Sequence, residues 1–384
     1  MATSPPQART GAGFRSPAPA TTPAAIGLAP GRLASLDALR GLTVAGMLLV
    51  NDPGSWDHVY WPLDHAAWNG CTPTDLVFPF FLFVMGVSVA LAVLPRREQG
   101  AAPGALRNAA LWRALRIVAL GVAINALAAW WLPGRDMRWP GVLQRIGVCF
   151  AVVAALAIYT PRRAWWIAIA ALLAFYAALL LSGGTLAKWD NLADRVDGAV
   201  FGRYVWDRDA LTGRVHDPEG LLSTLPAIAS SLLGLCAGVW LRARRLKLLL
   251  SAGMAAVLLG ALWSWWIPLN KNLWTPSYVL WTGGLACWIL ALLACHWLID
   301  VRGFPALGRR FGVNAIAAYA GSQFMQVALP ALGWQQPVYE QGFARWIAPW
   351  GGEELASLAF AIVFVTFWWA IVWWMDRRRL YLKL

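Results

Sequence analysis

The sequence predicts an all-α fold: a polytopic membrane helical bundle of about ten transmembrane helices, with both termini cytoplasmic. Three observations lead there. Only 13% of the residues are charged and 59% are hydrophobic, whereas soluble domains carry about 25% charged residues. Apolar runs of about 20 residues, long enough to cross a bilayer, recur along the chain. Lys and Arg gather in short clusters in every second connection, the positive-inside pattern of membrane proteins. That pattern also accounts for the formal net charge of +13, which lies between apolar segments rather than along a nucleic-acid face. The 26 tryptophans suit a chain with many membrane interfaces. The five cysteines show no CxxC or metal spacing, and their expected role is packing.

Taken in order, residues 1–31 are rich in Ala, Pro and Thr and read as a disordered cytoplasmic tail. Residues 32–384 form the transmembrane domain. Its spans are expected at 33–50, 75–94, 110–132, 140–159, 164–182, 221–241, 247–267, 275–299, 311–331 and 354–375. Basic clusters precede the first span and follow the second, fourth, sixth, eighth and tenth. This places the connection 51–75 on the outer side. The longest connection, 183–220, mixes both signs of charge and weighs little in this rule.

The connection Asn51–Asp75 stands apart. It holds His58, His65, Asp52, Asp57, Asp64 and Asp75 and no Lys or Arg. A neutral imidazole accepts a proton near physiological pH when a carboxylate orients it. Asp64 neighbours His65 in sequence, where side chains diverge, so Asp75 is the better orienter. A cap at the start of the second span is the alternative role for Asp75. His58 is expected to be inert.

Elsewhere, polar residues interrupt apolar runs at a cost of about 2.5–3.5 kcal/mol for each ionised group. Asp37 and Arg40, three apart on one helix face, read either as a mutual ion pair or as a ligand-facing pair. Gly41 and Gly46 offer room for a neighbouring helix. Gln144 and Arg145 sit one turn inside the fourth span. There Arg145 either snorkels to the interface or joins Gln144 in binding anionic or polar groups. Asp217, Pro218 and Glu219 read as a helix start with Asp217 as its cap, and His216 as loop. Asn270, Lys271 and Asn272 form an outer polar cluster. His296 falls near a cytoplasmic helix end.

Together the segments RLASLDALRGLTVAGMLLVN, LDHAAWNGCTPTDLVFPFFLFVMG, PGVLQRIGV, DPEGLLSTLPAI, NKNLWTPSYVLWTGG and NAIAAYAGSQ resemble the heparan-alpha-glucosaminide N-acetyltransferase family and its bacterial relatives, in order over residues 32–375. The resemblance implies a multi-pass enzyme of a bacterial inner membrane that moves acetyl from cytoplasmic acetyl-CoA to a glucosamine-type amino group on the outer side. Acetyl-CoA is then a co-substrate, and no metal is required. The family's active-site histidine falls on His65, and the Asn ending its first helix on Asn51. Residues 1–31 stand where lysosomal members carry an extra lumenal domain.

On this reading the catalytic residues are His65, Asn51 and Asp75. Asp37, Arg40, Gln144, Arg145, Asn270, Lys271 and Asn272 are expected to bind acetyl-CoA or acceptor. The expected partners are the lipid bilayer, acetyl-CoA, an amino sugar and a second copy in a homodimer, with no nucleic acid. His65 would deprotonate the acceptor amine or take the acetyl group itself, and Asn51 would hold the oxyanion. The rivals are a sugar O-acetyltransferase using the same histidine, and a transporter, which would show internal repeats that this chain lacks.

Overall fold

A computed structural model describes residues 34–295 and 304–382. The tail 1–31 and His296 lie outside these residues. The described chain is mostly helical. It runs α1 (Ala34–Asn51), α2 (Val77–Ala92), α3 (Leu94–Glu98), α4 (Pro103–Trp131), α5 (Val142–Tyr159), α6 (Arg162–Ser182), α7 (Leu192–Phe201), β1 (Asp207–Arg208), β2 (Val215–His216), α8 (Thr224–Arg242) and α9 (Leu246–Trp263). It continues with α10 (Pro276–Ala294), α11 (Phe304–Val313), α12 (Ala315–Ala331), α13 (Gln335–Tyr339), a π turn (Glu340–Ala344), α14 (Arg345–Gly351) and α15 (Glu353–Arg377). The two short strands pair antiparallel, with Asp207 opposite His216.

Eight of the described helices are long and apolar enough to cross a membrane. They make the chain a multi-pass integral membrane protein, in keeping with the apolar runs of its sequence. The first and ninth expected spans are helical too, but differ from these eight. Helix α1 spends three of its 18 residues on Asp37, Arg40 and Asn51, and α12 has only 17 residues. The ninth span is broken at Asn314, whose buried amide leaves the helix path to donate to the Leu380 carbonyl at 3.1 Å.

The connections sort to two ends of the bundle. At one end Glu98 pairs with Arg242 at 2.7 Å and Arg162 at 3.7 Å, which joins the turns after α3, α5 and α8. At the other end Gly70 donates to the Leu269 carbonyl, Trp139 to that of Tyr204, and Gly54 to that of Ser357. Successive long helices therefore run up and down alternately.

Close helix approach fixes the centre. Helices α2 and α8 meet so tightly that a Cβ on Gly86 would fall 1.9 Å from the Ser231 carbonyl oxygen, and one on Gly234 2.0 Å from that of Phe83. Gly41 serves the same purpose against Gly308 on α11, whereas the space beside Gly46 is ordinary contact with Val77 at 3.7 Å. Small residues allow this packing because in lipid it rests on van der Waals contact rather than on the hydrophobic effect. The interior is apolar around Leu82, Val153, Leu232 and Tyr278. Polar side chains concentrate at the end that carries 51–75.

Candidate active site

Residues 52–73 leave α1, make a short 3-10 turn at Trp61–Leu63 and return through a second at Thr74–Leu76. The return brings Asp75 back under His65. The His65 Nδ1 lies 2.7 Å from the Asp75 Oδ1. A carboxylate only accepts, so Nδ1 carries the hydrogen and Nε2 presents the lone pair. The other oxygen of Asp75 accepts from the backbone N–H groups of Ala66 at 3.1 Å and Thr72 at 3.0 Å. The Tyr278 hydroxyl donates to its carbonyl. Asp75 is therefore completely enclosed, while the His65 side chain keeps 36% of its surface open. These bonds also correct the capping alternative: Asp75 fixes the loop before its helix and makes no side-chain cap at the start of α2. The Asp64 Oδ1 accepts from the His65 backbone N–H at 2.7 Å rather than from its ring.

A third group comes from 200 residues away in sequence. The Lys271 Nζ lies 3.0 Å from His65 Nε2, 3.1 Å from Nδ1 and 3.9 Å from Asp75 Oδ1. The turn that carries it is tied to the His65 loop by the Asn270 amide, which donates to Asn69 at 3.1 Å. Burial pulls the Lys271 amine below its ordinary value, against the pull of Asp75. Beside the dyad, burial pushes the Cys71 thiol up to about 12, so it offers no thiolate at neutral pH.

This arrangement, an oriented imidazole with an accessible Nε2 beside a cation, fits proton transfer and acyl transfer. The family model for the heparan-alpha-glucosaminide N-acetyltransferase catalytic region matches residues 32–257, more than half of the chain and all of this loop. The chain belongs to the heparan-alpha-glucosaminide N-acetyltransferase family. It is 29% identical to the human protein of that name over 366 residues, covering 78% of this chain and 54% of that one. The mouse protein gives 29% over 364 residues, with 78% and 54% covered. The chain thus spans about half the length of these curated relatives.

In this member of the N-acetyltransferase family, the other expected site residues scatter. Asn51 ends α1, and its carbonyl accepts from Gln326 at 3.1 Å. Its side chain makes no hydrogen bond among the described residues. Next to it, burial pushes Asp52 up to about 8, with Gln326 opposing. Asp37 and Arg40 pair at 2.6 Å, and Arg40 Nε donates to the Gly312 carbonyl at 2.6 Å. They lie toward the far end of α1, Arg40 about 16 Å from Asn51 by helical rise.

Gln144 and Arg145 do not act together. The Gln144 amide donates to the Trp139 carbonyl at 3.2 Å. Arg145 neither snorkels nor meets Gln144. It turns inward, stacks over Trp274 at 5.2 Å and donates to the Gly220 carbonyl at 3.1 Å and the Ser223 hydroxyl. Both acceptors meet the same nitrogen, Nη2, while Nε and Nη1 are buried without a hydrogen-bond partner among the described residues. Asn270 is buried and structural, accepting from the Leu273 N–H at 2.8 Å. Asn272 has no hydrogen-bond partner among the described residues.

The connection 183–223 holds what the sequence reading missed. Helix α8 begins at Thr224, so Asp217 is not its cap. Asp217 is instead clasped by Arg138 through Nε at 2.9 Å and Nη2 at 2.6 Å, with Glu219 on the same guanidinium. His216 is not a free loop residue. It is buried on β2, its Nδ1 2.6 Å from Asp194 Oδ1. Asn191 caps α7 by accepting from the Asp194 N–H, and N-x-x-D at 191–194 was the one local signal for this. The Arg138 and His216 pairings join residues 79 and 22 positions apart, beyond any local pattern.

Proposed function

We propose that the protein is an acetyl-CoA-dependent N-acetyltransferase that carries acetyl from the cytoplasmic side of a bacterial inner membrane to the amino group of a glucosamine-type sugar outside. The observation that carries this reading is the half-open His65 ring held by the enclosed Asp75, in a chain of this family. Asp75 fixes the tautomer, so His65 Nε2 accepts the proton of the acceptor amine as it attacks the thioester, or itself takes the acetyl in a two-step route. The Asn51 amide, without a hydrogen bond among the described residues and about 16 Å from Arg40 along α1, is a donor for the acetyl carbonyl. Arg40 serves the CoA phosphates on the inner side, where a guanidinium matches phosphate geometry.

The same reading has ten spans with both termini inside, so that 51–75 faces outward. The alternation of basic clusters supports it. An engineered thiol at Ser55 is expected to react with an impermeant reagent in intact cells. Labelling of Arg378→Cys from outside would overturn the topology. A homodimer goes with the reading, and the mass of the purified particle checks it.

The test of function is transfer of radiolabelled acetyl from acetyl-CoA to a panel of amino sugars by purified protein. Label on glucosamine nitrogen is expected. Label on hydroxyls only would move the assignment to O-acetylation, and binding without transfer would remove the enzyme reading.

A further inference from the structure

The turn between α9 and α10 reads LNKNLWTP, and its shape serves one side chain. Trp274 sits at φ 53, a left-handed conformation that bulky residues rarely adopt. The buried Asn270 closes the turn from inside by accepting from the Leu273 N–H at 2.8 Å, and ties it outward to Asn69. The Gly70 N–H adds a backbone bond to the Leu269 carbonyl at 2.8 Å. Lys271 is thereby held against the His65 loop at backbone level, and its Nζ rests 3.0 Å from Nε2.

The hydrogen on Nδ1 is committed to Asp75, which leaves the Nε2 lone pair for an incoming group, while the ammonium stands against the ring, 3.0 Å from Nε2 and 3.1 Å from Nδ1. That lone pair is also where the chemistry of an acyl transfer must occur. An acetyl carbonyl brought to Nε2 displaces the contact and places its oxygen against the same N–H. Preorganised donors near 2.7–3.1 Å from a developing oxyanion are among the largest contributions to acyl-transfer catalysis. A cation already standing 3.0 Å from Nε2 is within reach of the oxygen of a carbonyl drawn to that nitrogen.

Resting on the acetyltransferase reading above, we propose that Lys271 is a catalytic residue whose ammonium binds the oxyanion formed on the acetyl carbonyl. The acceptor nitrogen bonds to the carbonyl carbon and gives its proton to His65 Nε2. The carbonyl π pair moves onto oxygen, where Lys271 holds it. When that pair returns, the carbon–sulfur bond breaks and the CoA thiolate leaves with the proton from His65. In a two-step route the same oxyanion forms twice, and Lys271 serves both times.

The experiment compares wild type, Lys271→Met and Lys271→Cys before and after alkylation with 2-bromoethylamine, which rebuilds an ammonium one atom type away from lysine. Acetyl-CoA and glucosamine are the substrates. Lys271→Met is expected to lose about 10²–10³-fold in kcat, with acetyl-CoA affinity and melting temperature near wild type. Alkylated Lys271→Cys is expected to recover at least tenfold over its untreated form, while treated wild type does not gain. Lys271→Met within a few-fold of wild-type kcat overturns the assignment, as does a loss confined to KM. If Lys271→Met does not fold, a folded Lys271→Cys that gains nothing on alkylation overturns it equally. Wild-type protein without any acetyl transfer removes the enzyme reading itself. Active wild type that is indifferent to Lys271 removes only this role.

Discussion

His65 meets Asp75 at 2.7 Å and His216 meets Asp194 at 2.6 Å, both through Nδ1. Both aspartates are enclosed, and both accept further N–H groups from nearby backbone. The rings differ in what surrounds Nε2. The His65 side chain is 36% exposed and has Lys271 at its Nε2. The His216 side chain is 4% exposed, and its Nε2 is buried without a hydrogen-bond partner among the described residues. It lies edge-on between Trp68 at 5.2 Å and Trp189 at 6.1 Å. Trp68 belongs to the His65 loop, and its indole donates to the Leu186 carbonyl at 2.9 Å. An oriented imidazole is thus only half of a site, and access to the second nitrogen is the other half. The His216 pair has the orientation alone, and uses it to lock the 183–223 connection against the loop that carries His65.

The widest expected separation between the pairs is in activity. His65→Ala is expected to lower acetyl transfer by about 10²–10⁴-fold, the usual worth of a general base, with acetyl-CoA binding kept. Near wild-type turnover would erase the distinction. His216→Ala is expected to leave the turnover of folded protein within a few-fold of wild type. Its effect should appear as a lower melting temperature, because Asp194 loses one charge-assisted hydrogen bond, worth about 1.5–3 kcal/mol. A His216→Ala protein of unchanged stability but abolished turnover would make the sealed pair the functional one. His58→Ala, at a ring with no partner among the described residues, is expected to retain most activity.

A subtler contrast lies in pH. Burial pushes Asp197, beside the His216 pair, up to about 7 from an ordinary 3.8, with the charges of Asp217 and Asp194 adding to it. Its Oδ2 is buried without a hydrogen-bond partner among the described residues. Between pH 4 and pH 7 the folded protein then holds a proton that the unfolded chain has released. Stability should therefore fall as pH rises through that window and level off above it. Asp197→Asn is expected to reduce the slope of melting temperature between pH 4 and pH 7, leaving the part that Asp52, raised to about 8, contributes. An unchanged slope in that variant would assign the dependence to another group.

The amino-acid sequence by itself determined the membrane-spanning class and singled out the 51–75 loop. Apolar run length must match bilayer thickness, and a basic chain that excludes every Lys and Arg from a loop full of His and Asp marks it by composition. His65 and Asp75, ten residues apart on one connection, were legible for the same reason. Sequence also marked 270–272 as polar, but not which of the three side chains reaches the ring. Tertiary structure decided that, because Lys271 meets His65 only where two turns are pinned together. It likewise drew Arg145 inward, gave Asp217 to Arg138 and buried His216. A buried charge must find its counterpart wherever the fold supplies one, and that choice depends on which helix ends share a face of the bundle rather than on their order along the chain.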